Sequence, residues 1–172
     1  GGSRRSARLR RRGSSPELPA ADLARLAATT ESVPELEVLV QGNVEAMVTE
    51  DRLAAMAAGA LTGGRFLGLK DGRGRVFPVR RDSEGRTSIA NAVETCLIDR
   101  LPRIAGTGIA AVAIDARGRG PRYAGEMAGL YRAGLDAVGR GAPGTLSALK
   151  EEARRRALGG ITGGHFVRGI EE

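Results

Sequence analysis

Asp115 and Arg117 follow directly on the short apolar run Val112-Ala113-Ile114. A carboxylate and a guanidinium just past a strand stand where parallel α/β barrels place the groups that touch ligand. The same two residues also describe a simple surface ion pair, and both readings stay open. Glu17, in Ser15-Pro16-Glu17-Leu18, follows a strand-like start in the same way. Cys96 is the only cysteine. Its thiolate would be a nucleophile, but in an apolar context with no histidine nearby it reads more readily as a small buried hydrophobe than as a nucleophile. His165, the only histidine, sits on a Gly-rich turn near the C-terminus and has no second histidine with which to hold a metal. No Ser-His-Asp or Cys-His arrangement, no H-E-x-x-H and no paired carboxylates at a clear spacing appear, so a self-contained peptidase is hard to build from these residues.

The elements that must position these groups alternate between helix and strand. Pro19 stands at the first turn of a helix predicted over 19–29, with Leu23, Leu26 and Ala27 at i, i+3 and i+4. Leu36-Glu37-Val38-Leu39-Val40 reads as a strand buried on most of its surface, and Gly42 lets the chain turn out of it. From Phe66 to Ile89, apolar alternation broken by Asp71-Gly72 and Ser83-Glu84-Gly85 predicts antiparallel hairpins, with strands near 65–70, 75–80 and 86–89. Val112-Ala113-Ile114 is a further strand. Ala124, Met127, Leu130, Tyr131, Leu135 and Val138 then mark an amphipathic helix over 121–139. A last helix is expected over 145–158, opened by Thr145 as N-cap and closed by Gly159-Gly160, with a short Gly-rich tail beyond it. Leu61-Thr62-Gly63-Gly64-Arg65-Phe66 echoes Ile161-Thr162-Gly163-Gly164-His165-Phe166, which we read as two similar turns rather than a repeat. The rhythm is that of an α/β unit carrying an antiparallel insertion.

A chain of 172 residues suffices for one domain with a core. Aromatics make up only 3% of it and tryptophan is absent, so Ala, Leu, Val and Ile must do the packing. The net charge of +7 permits attraction to phosphate backbones without demonstrating it. Only Lys70 and Lys150 of the 27 basic residues are lysine, a skew that a high-GC coding bias produces by itself. Six arginines fall within the first twelve residues; such a run is either a solvated terminus or a nucleic-acid arm. One cysteine excludes an internal disulfide and fits a reducing cytoplasm. No stretch approaches the roughly 20 apolar residues that cross a bilayer, so no membrane partner is expected. The opening Gly1-Gly2-Ser3 has no methionine, which we read as a piece of a longer open reading frame.

Several motifs, in order, resemble one family. Asn91-Ala92-Val93-Glu94-Thr95-Cys96-Leu97-Ile98 resembles N-S-x-D-L-C-x-I, and Gly108 through Arg117 resembles G-I-D-S-L-K-I-E-G-R. Ser15-Pro16-Glu17-Leu18 looks like S-x-E-L, and Glu37-Val38-Leu39-Val40-Gln41-Gly42 looks like E-V-F-V-H-G. Tyr123 through Asp136 is similar to Y-x-x-x-V-x-x-x-Y-R-x-A-x-D, with Tyr131-Arg132 kept, and Gly164 through Gly169 resembles a G-H-F-x-R-G close. These are motifs of the U32 peptidase family, and the likeness runs over residues 13–138.

The resemblance implies an α/β fold, the C-terminal portion of a (β/α)8-like barrel with an antiparallel β-hairpin insertion. A basic segment 1–12 would precede a partial barrel over 13–140, its insertion around 65–90, and a C-terminal helix and tail over 141–172. Family members include reported peptidases and proteins that serve in hydroxylating tRNA, rRNA or quinone precursors. Transferred by motif, the ligand-binding residues fall at Glu17, Gln41, Asn91, Asp115 and Arg117. Several members hold a four-iron four-sulfur cluster on four cysteines. Here the first two ligand positions fall on Glu45 and Arg52, the third lies in a segment shortened between Ala54 and Arg65, and Cys96 is the sole cluster-ligand position that remains cysteine. No metal and no cofactor is therefore expected. The family histidine is replaced by Gln41, which hydrogen-bonds but does not exchange a proton near neutral pH. The competing reading is a non-catalytic basic RNA-binding or assembly module on the same scaffold. The partners expected are the upstream half of the barrel or a homo-oligomer partner, and RNA.

Overall fold

Leu36, Val38 and Val40 alternate toward the helices while the β-branched valines themselves favour an extended backbone, and strand β2 (Leu36–Gly42) accordingly organises the molecule. The structure is a computed structural model, and it describes residues 12–29, 35–50, 67–81, 84 and 86–168. The expected basic arm up to residue 11, the first copy of the Gly-Gly turn at 61–66, Arg52 and the shortened segment 54–65 lie outside the described residues.

The fold is mixed α/β, with two sheets and, among the described residues, five α-helices. In the first sheet, β1 (Arg12–Gly13) and β8 (Ala111–Ile114) both run parallel to β2. β8 takes one edge of β2 through pairs from Glu37↔Ala111 to Gln41↔Ile114, with a bulge between Leu39 and Gln41. β1 pairs at Leu36 and Glu37, while β7 (Glu94–Cys96) pairs antiparallel at Gln41 and Gly42, so these two share the other edge. β9 (Ile161–Thr162) adds to β7 in parallel.

The second sheet is antiparallel, in the order β3 (Glu45–Thr49), β6 (Thr87–Ala90), β5 (Val76–Arg81), β4 (Leu67–Lys70). The three strands expected in the insertion lie within a residue or two of their predicted places. β3 is a strand that the sequence did not announce, because Glu45-Ala46-Met47-Val48-Thr49 shows no turn signal on entry beyond Gly42. The β4–β5 turn is built on Asp71, whose Oδ1 accepts the Arg73 and Arg75 N–H groups, both at 2.9 Å, an Asx-type turn.

Helices close one face of the first sheet. α1 (Ala20–Ala28) begins with Pro19 at its N-cap rather than inside its first turn. A 3-10 turn at Ile98–Arg100 leads into α2 (Leu101–Ala105), and α3 (Gly120–Gly139) is the long helix expected over 121–139. Its Tyr123, Met127 and Tyr131, one turn apart, all face inward. α4 (Leu146–Arg156) is shorter than predicted: a 3-10 turn at Pro143–Thr145 precedes it, and the Thr145 hydroxyl makes no cap bond. The Gly-rich tail, through residue 168, forms β9 followed by α5 (Gly164–Arg168), and Phe166, 4% exposed, docks in the core. Leu23, Val40, Leu97, Ile98, Leu101 and Met127 make the centre of that core. Gly134 lets α3 approach α2, since a Cβ there would stand 2.7 Å from Leu101 Cδ1. Among the described residues no helix is long and apolar enough to cross a membrane.

Candidate functional site

The bulge in β2 decides which groups meet. An extra residue between Leu39 and Gln41 turns a side chain that simple alternation would send to the opposite face, and both Val40 and Gln41 end fully buried. Gly42 follows at φ 130°, and a Cβ there would sit 2.6 Å from the Asp115 carbonyl oxygen and 2.8 Å from its Cβ. Only glycine lets the ends of β2 and β8 close this tightly. The Asp115 N–H donates to the Gln41 carbonyl at 2.8 Å.

Beneath that junction Glu94 is fully buried and accepts from four donors. Gln41 Nε2 reaches its Oε2 at 2.8 Å and the Tyr123 hydroxyl reaches the same oxygen at 2.5 Å. Its Oε1 takes the Leu158 N–H at 2.9 Å and a guanidinium N–H of Arg119. Arg119 in turn donates to the Arg156 carbonyl at 2.6 Å and lies over the Tyr123 ring, 3.9 Å from its centroid. Burial lowers the Arg119 guanidinium from its ordinary value against an opposing pull from Tyr123, yet a guanidinium stays ionised throughout the physiological range. Tyr131 continues the network: its hydroxyl donates to the Val40 carbonyl at 2.6 Å and accepts the Leu97 N–H at 3.1 Å. Burial raises the hydroxyls of both Tyr123 and Tyr131 above the ordinary tyrosine value. With both carboxylate oxygens of Glu94 occupied by donors, this cluster is a strut rather than a reaction centre.

Above it lies a polar edge at the C-terminal ends of the parallel strands β2 and β8. Asp115 binds Arg117 through Nε at 2.8 Å and through the Arg117 backbone N–H at 3.0 Å. Burial alone would raise the Asp115 carboxyl, but the Arg117 hydrogen bonds outweigh it and hold the group below its ordinary value. Facing this pair across a recess of about 60 Å³ are Glu45 and Arg80 of the second sheet, bonded at 3.1 Å, with Asn43 and Ser88. Asn43 Nδ2 donates to the Asn91 carbonyl at 2.8 Å, tying the loop after β2 to the entry of β7.

Of the residues transferred by motif, the structure gathers Gln41, Asp115 and Arg117 at one junction, joins Asn91 to it through Asn43, and leaves Glu17 apart. Glu17 is exposed, and its N–H donates to Ser15 Oγ at 3.3 Å. Sequence reasoning singles out neither Arg80, which faces the recess, nor Glu94, Tyr123 and Arg119, which support the junction from beneath. The i, i+4, i+8 spacing of Tyr123, Met127 and Tyr131 was the one signal that could have flagged part of the network.

Cys96 is fully buried 3.9 Å from the Tyr131 hydroxyl, and burial raises its thiol above the ordinary value. It behaves as the buried hydrophobe rather than as a nucleophile. The residues present do not fit an iron–sulfur cluster. The chain has one cysteine, fully buried with its thiol raised above the ordinary value by burial, and Glu45, where the motif alignment puts another ligand, is already engaged by Arg80 and Ser88. Among the described residues no three His, Cys, Asp or Glu side chains come together as a metal site.

A family model described as Peptidase family U32 matches residues 9–171. No curated protein and no solved structure matches the chain.

Proposed function

The chain belongs to the U32 peptidase family, and from that premise we propose that it is the substrate-binding C-terminal portion of a (β/α)8-like barrel of the hydroxylation-associated kind. The observation that carries this reading is the polar edge itself. Asp115 and Arg117 project from the end of β8 and Asn43 follows the end of β2, with Arg80 opposite. Parallel barrels use that edge for ligands, and β1, β2 and β8 run parallel with β2 in the middle. The antiparallel β7 departs from an all-parallel wall. It serves here to bring Glu94 under the junction.

Binding rather than bond cleavage is what these side chains favour. Cys96 is sealed, and the described groups at the edge are ion-paired acids and arginines suited to holding an anionic or strongly polar substrate. The remaining strands and the reactive group would come from the upstream half of the barrel or from a second copy, in a reducing cytoplasmic setting. The test is to replace the chromosomal copy by Arg117→Ala or Asp115→Asn and measure hydroxylated nucleosides of tRNA and rRNA, and hydroxylated quinone precursors, by mass spectrometry. Gelatin hydrolysis by the purified chain is measured alongside. The proposal expects one hydroxylated product to fall by at least about tenfold, with no gelatin hydrolysis. Hydrolysis that disappears in Cys96→Ala overturns it.

A second reading, an RNA-binding module without chemistry, draws on the six arginines in the first twelve residues. Deleting residues 1–12 would then weaken RNA binding and flatten its dependence on salt by about one unit of slope for each phosphate no longer neutralised. Unchanged binding and slope would leave compositional bias as the explanation of those arginines.

A further inference from the structure

Between its pairing with β1 at residues 36–37 and with β7 at residues 41–42, β2 leaves a stretch of one edge over which a cleft opens. The cleft holds about 360 Å³, at the small end of the roughly 300–1,000 Å³ typical of ligand pockets. Its walls divide by chemistry. Leu39, Val93, Leu97 and Phe166 supply apolar surface, while Asn91, Thr95 and Thr162 supply neutral hydrogen-bonding groups. Arg168 and His165, both on the exposed side of α5, are the basic residues that line it, Arg168 being the permanent cation, and no acidic residue lines it among the described residues. Arg168 is held toward the cleft by a contact of its Nη2 with Thr162 Oγ at 3.4 Å, and that oxygen also accepts the Gly164 N–H at 3.2 Å.

We infer that this cleft is a separate binding site for a small amphipathic anion, an apolar ring or branched body carrying one carboxylate or phosphate. The body would lie on Leu39, Val93 and Phe166 and the anionic head at Arg168. An apolar wall rewards removal of a hydrocarbon surface from water without regard to its identity. An arginine with no acid beside it among the described lining residues selects negative charge, and its planar fork pairs with either a carboxylate or a phosphate. The hydroxyls of Thr95 and Thr162 and the Asn91 amide then orient a polar substituent on the body. The cleft and the recess at the polar edge share no lining residue, Asn91 lining the one and Asn43 the other, and the inference does not rest on the function proposed for that edge.

The experiment uses the full chain and three probes that share one ring: phenylacetate, phenyl phosphate and neutral phenylacetamide. Binding is followed by amide chemical-shift titration, with Leu39, Thr95 and Gly163 as reporters. One or both anions should bind at least about tenfold more tightly than the amide, and which anion wins distinguishes a carboxylate from a phosphate ligand. Arg168→Gln, at an exposed position, should erase that preference with no change in melting temperature. Leu39→Trp should fill the cleft and block all three probes, and Arg117→Ala at the polar edge should change nothing. The inference is overturned if the amide binds as well as the anions or if Arg168→Gln keeps the preference. It is equally overturned if Arg117→Ala abolishes binding, or if no probe moves the reporters at about 10 mM, beyond which affinity is too weak to be meaningful.

Discussion

Glu94→Gln removes one charge from the strut beneath the β2–β8 junction while keeping the side chain's size. The carboxylate now accepts four donors. A glutamine offers one oxygen, and its NH₂ must face two of those donors. The less damaging orientation keeps the oxygen toward Arg119 and the Leu158 N–H and turns the NH₂ toward the Tyr123 hydroxyl, which can rotate to accept. Arg119 then loses its counter-charge with its side chain only 14% exposed. Removing one partner of a buried ion pair costs about 3–5 kcal/mol. Arg119 keeps its bond to the Arg156 carbonyl and its stacking on Tyr123, so the lower end, about 3 kcal/mol, is expected. For a chain of this size that corresponds to a melting temperature lowered by about 6–12 °C. Urea unfolding followed by circular dichroism should show a lower midpoint at unchanged slope. In a cycle with Arg119→Met, the double variant should be less destabilised than the sum of the singles, with a coupling above about 1 kcal/mol. A loss below about 1 kcal/mol, or strict additivity with Arg119→Met, would refute the assignment of this pair as the strut.

Gly42→Ala should destabilise the chain by about 2 kcal/mol or more through backbone strain and the Asp115 clash. Urea unfolding checks it, and a loss under about 0.5 kcal/mol would show that the β2–β8 approach is not tight. Cys96, Tyr123 and Tyr131 all carry raised values in the folded state, so their stabilising effect is complete below the unfolded values and is lost as pH rises. Stability should begin to fall above about pH 8.5, where the unfolded thiol ionises, and in Cys96→Ala the onset should move toward about pH 10, where unfolded tyrosine ionises. Native Cys96 labelled by a thiol reagent at pH 8 as fast as an unfolded peptide would contradict this. Anaerobic purification with iron and sulfide analysis should find no cluster, whereas near-stoichiometric iron with a broad absorption near about 400 nm would show that groups other than a set of four cysteines hold one.

Local pattern was enough for the elements whose causes are local. The apolar face of α3, the alternation and Asp71 turn of the insertion, and the short runs that became β2 and β8 all declare themselves within a dozen residues. Motif order was enough for the family, and it placed Gln41, Asp115 and Arg117 at strand ends that the fold does bring together. What local pattern could not contain was the meeting of distant segments. Gln41 reaches Glu94 and Tyr123 because a bulge turns it and because β7 pairs antiparallel at that point. The Gly-rich tail becomes β9 and α5 because the free edge of β7 and a gap for Phe166 await it. The cleft exists because two strands share one edge of β2 without meeting. Glu94, embedded in a short apolar stretch, gave no sign of its role for the same reason. A buried carboxylate is tolerable only where it is paired and hydrogen-bonded, here by four donors that converge from separate parts of the chain, and that convergence is a property of the packed molecule alone.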